Sequence, residues 1–386
     1  MHACPRTRGL PLLAAVQLIW AWPVAASTDC EASHFPDSVP KGSWLVHEEN
    51  DALLVDATDK GYTQGLRLGY TWQPECEWRW TQDFATFVED KLHAKALLFG
   101  KPEDLERWTS FGGGQHIFTP RNLKRHDLNT DDRPYAGWLY AMLRHDYATP
   151  ENQLENVPWL VQAQTSFEYQ LGIVGQLSLA EAAQKFLHDD ITGSQHPNGW
   201  EHQLGTEPGV VVRYQWQGRL AHEDRWFDVV PDYSVALGNI QTYAGAGLTL
   251  RAGVNISGFP TRTLGPTVLK RAFHESSARA ADVAPPRCLF SWLVECYVFA
   301  NAEGRYFARN LFFDGSTWKD SHRVDKEPFV SSWSAGTRLR LRPNNITINY
   351  VYTWRSREFT PVPQDAIHAD GSHAYGAITV NWDTHF

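Results

Sequence analysis

Four consecutive polar residues, 48–51, interrupt the first predicted strand of the chain. Asp and Asn are poor strand formers, so an acidic cluster inside a strand is unusual. Carboxylate and amide oxygens are the ligands that calcium prefers in proteins. Because side chains alternate along a strand, Asn50 and Asp51 are predicted to face opposite sides of it. The pattern indicates a hard-cation site, or polar groups solvated at a barrel mouth or in a lumen.

A hydroxyl group and an amide lie at the start of the next predicted strand, within residues 61–70. That strand would pair with the first, so Thr63 could lie across from Asn50 or Asp51. Ordinary strand and turn chemistry explains the same residues, and the spacing leaves both interpretations open.

One clear helix is predicted at 178–190, and His188 lies near its end. Ser178 and Glu181 have the spacing of a capping box. The helix has one apolar face, made by Leu179, Ala182, Ala183, Phe186 and Leu187. A histidine beside carboxylates, here Asp189 and Asp190, can act as a general base at neutral pH, although a lone histidine is more often structural.

The sequence DDRPYAGW at 131–138 combines charge with strand-opening residues. Pro134 opens a strand, Gly137 permits close approach of another element, and Arg133 can pair with an acid or bind phosphate. The sequence contains no GxSxG element and no HExxH element, so serine-nucleophile and zinc-peptidase chemistry have no support.

The strands that must position these residues are clearest at the C-terminus. Apolar and polar residues alternate back from Phe386, which is the period-two pattern of a strand. Twelve such segments are predicted, at 44–55, 62–72, 109–118, 135–147, 159–171, 208–217, 226–237, 243–254, 290–303, 329–342, 345–355 and 373–384. An even number of strands is typical of bacterial outer-membrane barrels. A soluble β-sandwich explains the alternation but not the aromatic terminal residue.

Three arginines, Arg338, Arg340 and Arg342, share one face of a predicted strand. They would be costly in lipid or in a dry core and are tolerable in a polar barrel lumen. Between the strands, residues 78–107 are predicted to be partly helical, and 257–288 and 304–327 to be loops.

Composition narrows the class of protein. The 386 residues include 17 Trp and 14 Tyr, which suit a protein with two membrane interfaces. No run of 18 apolar residues follows the N-terminus, and a formal net charge of −9 without a basic stripe argues against nucleic-acid binding. Residues 1–27 are predicted to be a secretory signal, and 28–386 a single barrel domain.

Four cysteines remain after the predicted signal, and an oxidising compartment permits disulfides. Cys288 could pair with Cys296, and Cys30 with Cys76, but spacing alone proves neither pairing.

Five motifs in order resemble the outer-membrane lipid A 3'-O-deacylases. They are EENDALL (48–54), GYTQGLRLGY (61–70), DDRPYAGWLYA (131–141), LGIVG with AEAAQKFLH (171–188), and NGWEHQL with EPG (198–209). The resemblance extends from about residue 43 to the C-terminus and is most specific in the first half. It implies an all-β fold, a transmembrane antiparallel β-barrel of about twelve strands with a short helix in an extracellular loop.

The resemblance also implies a calcium-dependent esterase that releases the 3'-linked acyloxyacyl chain of lipid A in the bacterial outer membrane. His188 would be the base, Asn50 and Thr63 would orient the carbonyl or the water, and Asp51 would hold calcium. Lys124, Arg125 or Arg133 would bind the phosphates or sugar of lipopolysaccharide. The chain is expected to act as a monomer in the membrane.

One departure from the family concerns the glutamate that follows the helix histidine. Residues 194–197 read Ser-Gln-His-Pro, and Glu201, at a different spacing, is the nearest acid. An outer-membrane phospholipase and a non-enzymatic barrel therefore stay open as alternatives.

Overall fold

Twelve antiparallel strands close into one barrel. The computed structural model describes residues 42–53, 62–72, 78–92, 105–149, 159–192, 196–221, 226–256, 258–259, 288, 290–342, 346–361 and 370–384. The barrel strands are Gly42–Asn50 (β1), Tyr62–Trp72 (β2), Glu106–Phe118 (β3), Ala136–Ala148 (β4), Gln162–Val174 (β5), Glu207–Ala221 (β6), Phe227–Gly238 (β7), Gln241–Val254 (β8), Leu293–Asn310 (β9), Phe329–Leu341 (β11), Ile346–Arg355 (β12) and His373–Thr384 (β14). Asp325–Lys326 (β10) and Phe359–Thr360 (β13) form a separate two-stranded sheet.

Each barrel strand pairs with the next barrel strand along the chain, and β1 closes the barrel against β14. The closing register runs from Gly42 opposite Thr384 to Asn50 opposite Gly376. The first and last residues of this ladder therefore define two ends of the barrel, called here the terminal end (at Gly42 and Thr384) and the far end (at Asn50 and Gly376).

All twelve predicted strands are present. Most of their bounds shift by a few residues, and the two largest shifts are at the ends of the first and ninth barrel strands. The first strand was predicted to run to residue 55 but ends at Asn50, and Asp51–Leu53 forms a 3₁₀ turn. The prediction that Asn50 and Asp51 face opposite sides of one strand was therefore wrong for Asp51. The ninth barrel strand continues to Asn310, because its alternation of buried and exposed residues persists that far. The predicted loop at 304–327 was therefore wrong for its first seven residues, which belong to the strand.

Three α-helices accompany the strands in the described part of the chain. Arg79–Leu92 (α1) confirms the helix predicted within 78–107 and packs on the outer wall near the terminal end, where Phe84 lies 5.0 Å from the ring of Tyr169. Ala180–Phe186 (α2) continues as a π-helical turn at Leu187–Thr192, and Leu311–Asp314 (α3) follows β9. None of the helices in the described ranges has the length and apolarity that a membrane span needs.

The wall alternates between two environments. Residues of one parity carry large apolar side chains outward, as Trp333 and Phe329 do, each 60% exposed. Residues of the other parity are polar, buried and paired inside the barrel. Arg338 and Arg340 approach Glu295 at 3.4 and 3.5 Å, which confirms their predicted lumenal position. Arg342 lies beyond the strand in an exposed turn.

Charged clusters fill much of the lumen. Arg144 and Arg213 both contact Glu168, and Asp146 accepts from Arg144. Nearer the terminal end, Arg219 and Arg251 share Asp228. A buried charge is costly unless it is paired, so these arginines and acids lie side by side. Their side chains fill much of the interior of the barrel.

At the far end, Glu358 in the loop after β12 contacts Arg133 in the loop before β4. Arg133 and Arg355 both donate to its carboxylate, at 2.9 and 3.1 Å. Burial by itself would raise the pKa of Glu358, but the guanidinium groups of Arg355 and Arg133 outweigh burial and lower that pKa from 4.5 to about 2.

Glu358→Gln is therefore expected to lower the free energy of unfolding at pH 7 by about 3 kcal/mol, because two buried guanidinium groups lose their counter-charge. The deficit relative to the native protein should shrink as the pH falls from about 4.5 to about 2, since the native carboxyl then becomes protonated too. Denaturant unfolding in detergent micelles measures both effects. Glu327→Gln removes a more exposed partner of Arg357 and serves as the control; equal losses in the two variants would contradict the expectation.

Cys288 and Cys296 form a disulfide with their Cα atoms 6.3 Å apart, which confirms that predicted pairing. The predicted signal at 1–27 and the pair Cys30 and Cys76 lie outside the described residues.

Candidate active site

Four neighbouring strands each place one residue on a single row of the outer face, near the far end. Asn50 of β1 is opposite Gln64 of β2. Gln64 is opposite Ile117 of β3, which is opposite Gly137 of β4. The row runs from the polar end of the first strand to the wall beneath α2.

The helix α2 packs against the outer wall at this row. Gly137 makes the close approach possible, because a methyl group there would overlap the Ser178 hydroxyl and the Ala180 side chain. The Gln115 amide of β3 donates to the Ser178 carbonyl at 2.6 Å. Ile117 is fully buried beneath the helix in a cluster that also includes Ala180 and Trp200. The predicted role of Gly137 is thus confirmed.

The helix begins differently from the prediction. Leu179 precedes its first turn in a left-handed conformation (φ 59°), and no side chain caps the helix. The Ser178 hydroxyl donates to the Gly175 carbonyl, and Glu181 pairs with Lys185 at 2.7 Å. The capping box was therefore wrong, because the preceding 3₁₀ turn at Gln176–Ser178 already uses the serine.

The face that packs on the wall is also different. Ala180, Gln184 and His188, spaced four residues apart, are buried, and the Trp200 indole donates to Gln184 at 2.9 Å. Leu179 and Phe186, from the predicted apolar face, are 54% and 42% exposed. Apolar side chains that point away from the wall suit contact with lipid. His188 lies on the same face of this helical segment as Ala180, which meets Gly137 of the wall, and its side chain is 4% exposed.

The end of β1 provides oxygen ligands on the same side. Glu48, two residues before Asn50 on its face, accepts from the Gln64 amide at 2.9 Å. Asp51 is buried at the start of the 3₁₀ turn. The turn then folds over the outer face, where Leu53 packs on Gly376 and its carbonyl accepts from Tyr350 at 3.3 Å.

Gln64, and not Thr63, is the residue opposite Asn50. Thr63 lies at an irregularity in the β2–β3 ladder, between Tyr62 and Gln64. Its side chain is outside the described part of the structure, so its orienting role stays a prediction. Glu48 and Gln64 belong to the two polar stretches singled out in the sequence, but neither was given a role; the strand register now places both on the same face as Asn50.

Two predicted basic residues lie beside the segment that follows the helix. Lys124 and Arg125 are exposed in the loop after β3. Asn198 donates to the Lys124 carbonyl at 3.4 Å, and Gly199 approaches the Arg125 carbonyl. The same segment carries His196, whose ring contacts Asp189 at 2.9 Å.

Arg133 lines one small pocket together with Arg125 and Gly199, but its guanidinium is engaged by Glu358. It is 3% exposed at the far end of the lumen, where its guanidinium pairs with Glu358 and lies 4.6 Å from the ring centre of Phe313. Glu201, the nearest acid after the helix, is exposed in the 3₁₀ turn Trp200–His202.

The oxygen atoms near the end of β1 are of the chemical type that binds calcium. Asp51 supplies a buried carboxylate, and Asn50 and the turn supply amide and carbonyl oxygens, which are hard ligands. Within the described ranges, no group of three or more His, Cys, Asp and Glu side chains is arranged around a common point. A cation here would therefore depend on amide, backbone or water oxygens beside Asp51.

A family model described as outer membrane protein LpxR matches residues 12–384. The structure resembles LpxR from Salmonella typhimurium, with a TM-score of 0.59 and 16% identity, over 88% of this chain and 99% of that one. At that identity the likeness establishes the fold. The beta domain of the Bordetella autotransporter Brka has a TM-score of 0.39 and 9% identity, over 89% of this chain and 99% of that one. No curated protein sequence matches the chain significantly.

Proposed function

The chain belongs to the LpxR family of outer membrane proteins, and on that premise we propose that it is a lipid A deacylase. It is an integral barrel of the bacterial outer membrane. The proposed reaction is hydrolysis of the 3'-linked acyloxyacyl ester of lipid A in the outer leaflet. The observation that carries the proposal is the burial of His188 on the helix face whose Ala180 meets the outer wall, while Leu179 and Phe186 are exposed; an acyl chain can reach this position from the membrane.

His188 is the general base of this proposal. Its imidazole takes a proton from a water molecule, and the resulting hydroxide attacks the acyl carbonyl carbon. The ester bond breaks, the sugar oxygen leaves and regains a proton, and the acyl chain is released as a carboxylate. Gln184, one turn earlier on the buried face, is held by Trp200 and keeps that face towards the wall.

Asn50 and Thr63 are proposed to orient the carbonyl or the water, and Asp51 to hold calcium with nearby amide and carbonyl oxygens. Bound there, calcium supplies positive charge that stabilises the carbonyl oxygen as it becomes negative. Lys124 and Arg125, exposed beside the helix, are proposed to contact the phosphates or sugar of the substrate. Arg133 is left out of this role because it is buried in the lumen.

Mass spectrometry of lipid A from cells with and without the gene tests the proposal. The expected result is loss of the 3' acyloxyacyl mass only in cells that carry the gene. Purified protein should lose the activity on chelation and regain it when calcium is added back. Unchanged lipid A together with hydrolysis of phosphatidylethanolamine vesicles would indicate a phospholipase instead. Ion conductance in planar bilayers without esterase activity would indicate a non-enzymatic barrel.

A further inference from the structure

A cavity of about 900 Å³, counting the space open at its mouth, lies inside the far end of the lumen. It is on the opposite side of the wall from His188. Its lining comes from most of the barrel strands, from α3 and from Glu358 in the loop after β12. Five arginines line it, namely Arg67, Arg133, Arg213, Arg305 and Arg355, whereas Glu358 is the one lining carboxylate among the described residues.

Arg67 is the least compensated of these arginines. It is 3% exposed, and its Nε and Nη2 atoms donate to the Tyr140 hydroxyl at 3.2 and 2.7 Å. Within the described ranges its Nη1 atom has no hydrogen-bond partner and no carboxylate pairs with it. A guanidinium keeps its charge at every physiological pH. Burying such a charge without a counter-charge is costly, so the position favours an anion.

Arg133, Arg213 and Arg355 use only part of their donor capacity on protein groups. Arg213 and Arg305 donate to Glu168 and Glu303, each at 2.9 Å. Glu168 is also shared with Arg144, and Glu358 is shared by Arg133 and Arg355. The Nε atoms of Arg133, Arg213 and Arg355 have no hydrogen-bond partner among the described residues. The cavity lining therefore holds buried guanidinium donors that no described protein group uses, on Arg67 as well as on Arg133, Arg213 and Arg355.

We propose that this lumenal cavity binds a phosphate group, either as the free ion or as the phosphate ester of a small molecule. Guanidinium groups bind phosphate oxygens through two parallel hydrogen bonds, and several arginines together suit a polyvalent anion better than a single carboxylate. The stacked rings of Phe118 and Phe312, 3.9 Å apart at their centres, offer an apolar surface to the remainder of an ester. The site is separate from the proposed deacylase site on the outer wall.

Isothermal titration calorimetry of the purified full chain in detergent micelles tests this site, with inorganic phosphate and glucose 6-phosphate as probes at low ionic strength. The native protein should bind at least one probe, and Arg67→Met should weaken that binding about tenfold or more. Arg340→Met is the matched control, because it removes a lumenal arginine that approaches Glu295 near the terminal end. It should leave the affinity unchanged.

Gln241→Glu tests the site without removing an arginine. It places a carboxylate in the cavity lining with almost no change in side-chain volume. The added negative charge should weaken binding of the anionic probe. This variant keeps the test available if Arg67→Met does not fold. Tighter binding of glucose 6-phosphate supports a phosphate ester as ligand, and equal or tighter binding of inorganic phosphate supports the free ion. Absence of binding by the native protein, or equal loss in the Arg340→Met control, overturns the proposal.

Discussion

His188→Ala should reduce the rate of lipid A deacylation by about 10²- to 10⁴-fold, which is the usual contribution of a general base. The side chain is 4% exposed, on the same helix face as Ala180 and Gln184, so it is shielded from bulk solvent. The rate is measured as release of the acyl product from lipid A by purified protein in micelles, and by lipid A mass spectra of intact outer membranes.

His196→Ala is the control for this loss. His196 is close to His188 in sequence but is exposed, and its ring pairs with Asp189. Its removal should leave the rate nearly unchanged. A large loss of activity in His196→Ala together with normal activity in His188→Ala would show that His188 is not the general base.

Gly137→Ala should lower the same rate by about 10²-fold while the barrel still folds. The added methyl group overlaps Ser178 and Ala180, so the helix must move away from the wall. A displacement of about 1 Å between a catalytic group and its substrate is enough for a loss of this size. Activity is again measured on lipid A, and folding by the heat-dependent electrophoretic shift of the barrel.

Gly205→Ala provides the matched glycine control, because the nearest atom to a methyl group there, the Ser316 hydroxyl, is 4.0 Å away. Full activity in this variant and reduced activity in Gly137→Ala would locate the chemistry at the contact between helix and wall. If Gly137→Ala folds and retains full activity, the site does not depend on that contact.

The barrel strands could be predicted from the sequence because the pattern that identifies them lies within each strand. A side chain on a closed wall faces either lipid or lumen, so alternation is written into each strand, as in the segment that ends β14 at Thr384. The prediction that Arg338 lies in the lumen follows from the same rule. Strand ends are less predictable because hydrogen bonding with the next strand decides them: β1 stops at Asn50, where the chain turns over the outer wall.

Within the candidate site, the sequence supplied the residue types and their order. It identified Asn50, Asp51 and His188 through motifs, and Gly137 as a point of close approach. It could not show that Gln184 and His188 turn towards the wall, because a helix in lipid can bury its polar face and expose its apolar one. Leu179 and Phe186 of the predicted apolar face are exposed as a result, although Ala183 of that face still packs beside Ala180.

The chain by itself determined the class of protein, a count of about twelve strands and the alternation of side chains along each strand. These follow from composition and from a repeat of two residues. The tertiary structure decided which distant residues meet. Arg133 illustrates the difference. Its sequence motif does not show which side of the wall the side chain faces. Its contact with Glu358, 225 residues later, places it in the lumen. Such contacts are properties of barrel closure, which no local segment encodes.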